Sequence, residues 1–189
     1  NAKNGLGGVF TSSYTNGQIL ITEGTNFDQS YIWSTLSLEA LMKRQSKFTV
    51  LGMPLVYGLR TGVQQHRMPF LNLSRMADVE LKYTELTTGS IGLMADLKRN
   101  RWSYYLFSRY QYPITTRVKA GDQFTLSPVF AFDGSVGTSY SITQQLKLGL
   151  FWYGQWHQYN FTYQNSDQAN SGFQSLFFSK IDLRLGFDF

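Results

Sequence analysis

Cysteine is absent from the sequence, so neither a disulfide framework nor a thiolate metal site is available to the chain. Long apolar runs are absent too. The hydrophobic fraction is 42%, yet no stretch approaches the ~18 consecutive apolar residues of a membrane helix, which excludes a helical membrane protein. Charged residues are scarce, at 15%, and the cations behind the net charge of +5 are scattered in twos and threes. No basic run of the nucleic-acid type results, and nucleic acid is not an expected partner. There is no phosphate-binding loop, no dinucleotide glycine pattern and no metal-ligand cluster, so no cofactor is expected. Histidine occurs only at His66 and His157, which confines an imidazole base to two positions. No signal peptide precedes Asn1, although a mature exported chain would have lost one.

Aromatic residues, by contrast, reach 16%, with 12 Tyr and 15 Phe. That balance suits a β protein facing an apolar medium, with Tyr and Trp at an interface. The pattern is clearest from Phe173 to Phe189. Ile181, Leu183, Leu185, Phe187 and Phe189 alternate there with Lys180, Asp182, Arg184, Gly186 and Asp188. Period-two alternation puts apolar side chains on one side of a sheet and polar ones on the other.

The same alternation predicts seven further strands in a single domain, residues 1–189. The first runs from Asn1 to about Tyr14, and Thr15–Ser30 reads as a loop. Ile32–Met42 follows, with Trp33, Thr35, Ser37 and Glu39 on its second face, then a polar turn over Lys43–Lys47. Phe48–Leu59 is the third strand, made irregular by Pro54. Thr61–Asn72 reads as a second loop. Parity never breaks from Ala77 to Leu97, and Lys98–Asn100 is a tight turn. Trp102–Val118, a turn at Ala120–Asp122, Phe124–Ile142, a turn at Thr143–Gln145 and a strand from Leu146 follow. Gln164–Gly172 reads as a polar loop before the last strand. The three turns at Lys43–Lys47, Lys98–Asn100 and Thr143–Gln145 and both termini then fall at one end.

A terminal Phe preceded by apolar residues at every second position, on an even count of eight strands, resembles small bacterial outer-membrane β-barrels. The class includes the OmpA membrane domain, OmpX and OmpW. The resemblance covers the whole chain and implies an all-β, eight-stranded antiparallel up-and-down transmembrane β-barrel. It implies residence in the bacterial outer membrane with both termini periplasmic. Outer-membrane lipids, lipopolysaccharide, envelope proteins and the barrel-assembly machinery, which would meet the C-terminal strand, are the implied partners. Strands of about twenty residues exceed the ~9–11 needed to cross hydrocarbon, so their excess would form a collar. A soluble lipocalin-like barrel is the rival fold, with its apolar face turned inward.

Side chains fill the interior of an eight-stranded barrel. Parity turns Thr125 to Ser141 of strand six inward as a small face, opposite Phe151, Tyr153, Gln155, His157, Tyr159 and Phe161 of strand seven. Glu39, Asp78, Glu80, Lys82, Asp96, Arg109, Lys147, Lys180, Asp182 and Arg184 also belong inside, where mixed signs let them pair. The expected lock joins Glu39 to Arg184 and Arg109 to Asp182, with Lys180 nearby. Lys43, Arg44, Lys47, Lys98, Arg99 and Arg101 gather at the turn end; Arg60, Arg67, Arg75, Arg117 and Lys119 lie toward the loop end. Of these, Lys43, Arg44, Lys98, Arg99, Arg101, Arg117 and Lys119 are candidates for lipid-headgroup and lipopolysaccharide phosphates. The expected function is a non-enzymatic structural or surface-interaction element with a plugged lumen and no catalytic residues. A lipid-modifying enzyme and a narrow channel are the alternatives. His157 reads as a lumen packing residue and His66 as a solvated loop residue, neither within a Ser/His/acid motif.

Overall fold

The computed structural model describes residues 4–21, 27–75, 78–118, 124–165 and 168–187. They form eight strands: β1 (Gly5–Ile21), β2 (Phe27–Val50), β3 (Met53–Arg75), β4 (Asp78–Arg99), β5 (Trp102–Val118), β6 (Phe124–Ser141), β7 (Leu146–Asn165) and β8 (Gln168–Phe187). Each strand pairs antiparallel with the next, giving one up-and-down sheet. The sheet curls around an interior. Trp33 of β2 meets Phe178 of β8 with ring centroids 5.2 Å apart, and the Tyr159 hydroxyl of β7 donates to Met68 Sδ of β3 across 2.8 Å. Among the described residues no ladder joins β1 to β8.

Three hairpins define one end of the sheet. Leu51 (φ 52°) and Gly52 (φ 73°) form a two-residue turn between β2 and β3, both in the left-handed region that matches strand twist. Asn100 (φ 54°), a residue that tolerates this region, turns β4 into β5. Between β6 and β7, Thr143 Oγ1 accepts from the backbone N–H groups of Gln145 (3.2 Å) and Leu146 (2.9 Å), fixing the turn with a side chain.

Several expected boundaries are corrected. Lys43–Lys47 is strand, with a pairing irregularity between Gln45 and Thr49, and the turn lies at Leu51–Gly52. Thr61–Asn72 is strand within β3, paired with β4. Most of Thr15–Ser30 and Gln164–Gly172 is likewise paired strand. The long strands thus replace the expected long loops. The Ala120–Asp122 turn and the terminal Phe189 lie outside the described residues.

Alternation sorts the side chains between two faces of opposite character. Outward, Leu106, Val136, Trp152 and Ile181 stand side by side on β5, β6, β7 and β8, exposed by 56%, 49%, 44% and 73%. Inward lie Glu39, Gln64, His66, Gln111, Asp133 and His157, all at 2% exposure or less. An apolar stretch of the interior, where Trp33, Met68, Phe70, Leu86, Leu126 and Tyr159 cluster, lies away from the hairpin end. Leu126 is inside because the ladder shifts between Pro128 and Phe130, reversing the parity of β6 above that point. Thr125, Ser127 and Val129, expected inside, are therefore exposed.

Candidate functional site

Most of the interior polar residues form one connected network built from six strands, β4 joining it through Thr88 and Ser90, which donate to Gln111 and Glu39. Glu39 of β2 and Asp133 of β6 supply two carboxylates with no exposed side-chain surface. Arg109 of β5 lies between them. Its Nε and Nη2 donate to Asp133 Oδ1 (2.8 Å) and Oδ2 (2.5 Å), and its Nη1 donates to Glu39 Oε1 (2.6 Å). Arg60 of β3 donates to the other Glu39 oxygen. Two guanidinium groups thus balance two carboxylates, and the fork geometry of Arg109 is used on both sides. The guanidinium carbons of Arg60 and Arg109 lie 4.7 and 5.2 Å from the Phe107 ring centroid, which adds cation–π attraction.

Glycine makes this crossing possible. A Cβ at Gly62 would run into the Leu38 carbonyl oxygen and approach Glu39 Cα to 2.6 Å. One at Gly92 would sit 2.9 Å from the Ser108 carbonyl oxygen and 3.0 Å from Arg109 Cβ. Both positions need the close approach of strand and side chain that only glycine permits.

From Asp133 the network continues through Gln111 and Tyr153. Gln111 Nε2 donates to Asp133 Oδ1 (3.1 Å), and Gln111 Oε1 accepts from His66 Nε2 (2.8 Å). His66 Nδ1 then accepts from the Thr35 hydroxyl (3.0 Å). On the other branch the Tyr153 hydroxyl lies 3.0 Å from Asp133 Oδ2, and Gln155 Nε2 donates to His157 Nε2 (2.5 Å). His157 Nδ1 donates to the Tyr159 oxygen (3.3 Å), whose own proton goes to Met68. These directions are mutually consistent when both imidazoles are neutral, protonated at Nε2 in His66 and at Nδ1 in His157. All four ring nitrogens are engaged within the network.

A cavity of about 180 Å³ adjoins the network on the side of β1 and β8. Arg60, Arg109, Ser135, Lys180, Asp182 and Arg184 contribute to its wall. Asp182 accepts from Lys180 (3.3 Å) and Arg184 (3.1 Å) on its own strand. Arg184 also stacks over Phe151, with its Cζ 4.3 Å from the ring centroid.

The structure brings Glu39 and Arg109 together, and it corrects the remaining partners of the expected lock. Arg109 holds Asp133, not Asp182, and Glu39 holds Arg60, not Arg184. Strand neighbours β5 and β6 put Arg109 directly opposite Asp133, so the pair forms without crossing the interior. Arg60, expected toward the loop end, is a member of the network. His66, expected on a solvated loop, is fully buried, because Thr61–Asn72 is a strand in which Gln64, His66, Met68 and Phe70 face inward. Carrying the parity of Phe48–Leu59 onward through that stretch would have turned both inward.

Among the cations expected to meet headgroups, Lys43 donates to Asp96 Oδ2 (3.2 Å), while Arg44, Lys98, Arg99 and Arg101 are exposed at the hairpin end. The side chains of Asp78, Glu80, Arg75 and Arg117, and the whole of Lys119, lie outside the described residues. Among the described residues there is no group of three or more His, Asp or Glu that could hold a metal ion.

The fold class is therefore an all-β, eight-stranded, antiparallel up-and-down sheet curled around a charged interior. No protein family, curated protein or solved structure matches the chain.

Proposed function

We propose that the chain is a transmembrane β-barrel of the bacterial outer membrane, non-enzymatic, with a lumen plugged by its own side chains. Its role is that of a structural or surface-interaction element of the envelope. The observation that carries this reading is the inverted polarity of the two faces. Paired charges are buried inside while Leu106, Val136, Trp152 and Ile181 project outward in register. In water such an exterior is unfavourable by ~25 cal/mol per Å² of apolar surface; in hydrocarbon that penalty disappears.

The aromatic spacing supports the same reading. On β5, Trp102 and Tyr104 are exposed near the hairpin end, and Tyr110 and Tyr112 farther along, with Leu106 between. At ~3.3 Å per residue, Trp102 and Tyr112 are ~33 Å apart along the strand. A strand tilt of ~40° reduces this to a height of ~25 Å, the height of the apolar band between aromatic girdles of such barrels. Unpaired backbone groups are costly in hydrocarbon, so β1 and β8 close on each other in the bilayer. Exposed Arg44, Lys98, Arg99 and Arg101 then meet headgroup phosphates at the hairpin end.

The test is solubility together with closure. The purified chain should require detergent, and in lipid vesicles it should give no steady conductance. The natural absence of cysteine makes crosslinking clean. Phe10→Cys, combined in turn with Ser179→Cys, Ile181→Cys or Leu183→Cys, should form a disulfide in at least one pair once the chain is in vesicles. A chain that stays monomeric in buffer without detergent would overturn the membrane reading; failure of every pair in vesicles would overturn closure.

A further inference from the structure

We propose that the cavity beside the lumen network is a binding site for a phosphate ester group. This goes beyond the envelope role, and it rests on the geometry of the interior rather than on the surrounding medium. Four cationic side chains contribute to the cavity wall, Arg60, Arg109, Lys180 and Arg184, against a single carboxylate, Asp182. Glu39 and Asp133 have no exposed side-chain surface and are not part of that wall, so the exposed character of the cavity is cationic.

Two unused polar atoms strengthen the assignment. Ser135 lines the cavity at 6% exposure, and its hydroxyl has no hydrogen-bond partner. The Nε of Arg60, also on the wall, is buried and equally unpartnered. A buried donor left unsatisfied costs free energy, and an oxyanion accepts from a hydroxyl and a guanidinium N–H together. At about 180 Å³ the cavity is smaller than the pockets of ~300–1,000 Å³ that enclose a drug-sized molecule, and it suits a single phosphate ester head. Tetrahedral phosphate presents enough acceptor oxygens to meet Arg60, Ser135, Lys180 and Arg184 at once, which a planar carboxylate does not. Two sources offer this chemistry, a soluble phosphate ester and the headgroup of a phospholipid.

The full chain is titrated calorimetrically in a phosphate-free nonionic detergent, or in plain buffer should it need none, so that the result does not depend on the membrane reading. The titrants are inorganic phosphate and glycerol 3-phosphate, with acetate and chloride as controls. Saturable binding of the phosphates, and none of acetate, is expected. Combined Lys180→Gln and Arg184→Gln should weaken binding by roughly ten-fold or more, since each removes a charge-assisted hydrogen bond. Their side chains are 35% and 51% exposed, so the fold should tolerate the change. Ser135→Ala should weaken it by about three- to ten-fold. Enrichment of phosphatidic acid over phosphatidylcholine from mixed micelles, chased off by inorganic phosphate, assigns the lipid headgroup. Phosphate binding without that enrichment assigns a soluble ester. No binding by the parent, equal binding of acetate, or phosphate binding indifferent to both variants would overturn the site.

Discussion

Charge is treated differently on the two sides of the interior. Between β2 and β6, Glu39 and Asp133 have no exposed side-chain surface, and every oxygen of both carboxylates accepts from a guanidinium. Beside the unladdered edges, Asp182 is 23% exposed and shares its oxygens between Lys180 and Arg184, which are 35% and 51% exposed. The first arrangement joins four strands through side chains that strand pairing already holds rigid. The second joins residues of one strand and leaves room beside them. A buried ion pair is weak evidence of net stabilisation against an apolar alternative, yet removing one partner strands the other in a place water cannot reach. Exposed pairs carry no such penalty. The difference teaches where the fold is fixed by its charges and where charges remain available for a ligand.

The largest effect should come from breaking the buried side. Arg109→Ala leaves Glu39 with one guanidinium partner and Asp133 without its bidentate one, and should cost about 3–5 kcal/mol. It is read as a lowered unfolding midpoint in urea or as loss of the folded band on an unheated gel. Where the variant folds and the proposed membrane barrel holds, a new leak in vesicles is the second readout, because a side chain joining three strands across the interior has gone. A variant matching the parent in both would show that the network does not hold the lumen. Next comes Gly62→Ala, which adds one methyl against the Leu38 carbonyl and the Glu39 backbone. Overpacking of this kind should cost about 1–3 kcal/mol, measured by the same unfolding curve. An unchanged midpoint would mean that β2 and β3 can separate locally without loss.

How far these features were legible depended on what each face had to say. β4 and β5 could be bounded closely from sequence, because apolar and polar residues alternate there without interruption and Asn100 marks the turn. β3 was lost as a strand beyond Leu59. Gln64 and His66 face the network, but Gln65 and Arg67 on the outer face are polar as well, so alternation vanishes and the stretch resembles a loop. The β2–β3 turn was misplaced for a related reason. Lys43–Lys47 is polar because it lies near the hairpin end of a strand, whereas the turn itself is Leu51–Gly52, with leucine in a conformation leucine seldom adopts. Parity alone turns Leu126 outward, because a bulge shifts parity without changing composition. The buried partners were only half legible. Parity placed Glu39, Arg109 and Asp133 on the inner face, but choosing among inner charges needs the register that sets Arg109 opposite Asp133.

A smaller effect tests the neutral end of the same network. Tyr159→Phe removes the proton given to Met68 and the oxygen that receives His157 Nδ1–H, while leaving the aromatic volume in place. The loss should be about 0.5–1.5 kcal/mol, the ordinary net contribution of such a hydrogen bond. Met68→Leu, which takes away only the sulfur acceptor, should cost less than Tyr159→Phe. If the order reverses, packing in the apolar cluster outweighs the hydrogen-bonded chain that runs into it.

The smallest effect is expected at the seam, and it sharpens the comparison most. Asp182→Asn breaks two pairs at once, but all three residues are partly exposed, so the change should cost no more than about 1 kcal/mol in detergent. The carboxylate's pairs lie along β8 itself. In a bilayer the expectation changes. Closing β1 onto β8 would bring Thr11 and Ser13 against the same region and exclude water from it. Lys180 and Arg184 would then be two cations held in a narrow space without their shared counter-charge, and the cost of Asp182→Asn should rise toward the several kcal/mol of a buried pair. Unfolding the variant and the parent in both media measures the difference directly. A penalty that grows on transfer to vesicles marks the seam as closed. An equal, small penalty in both would mean that the edges stay apart and that this half of the interior remains wet.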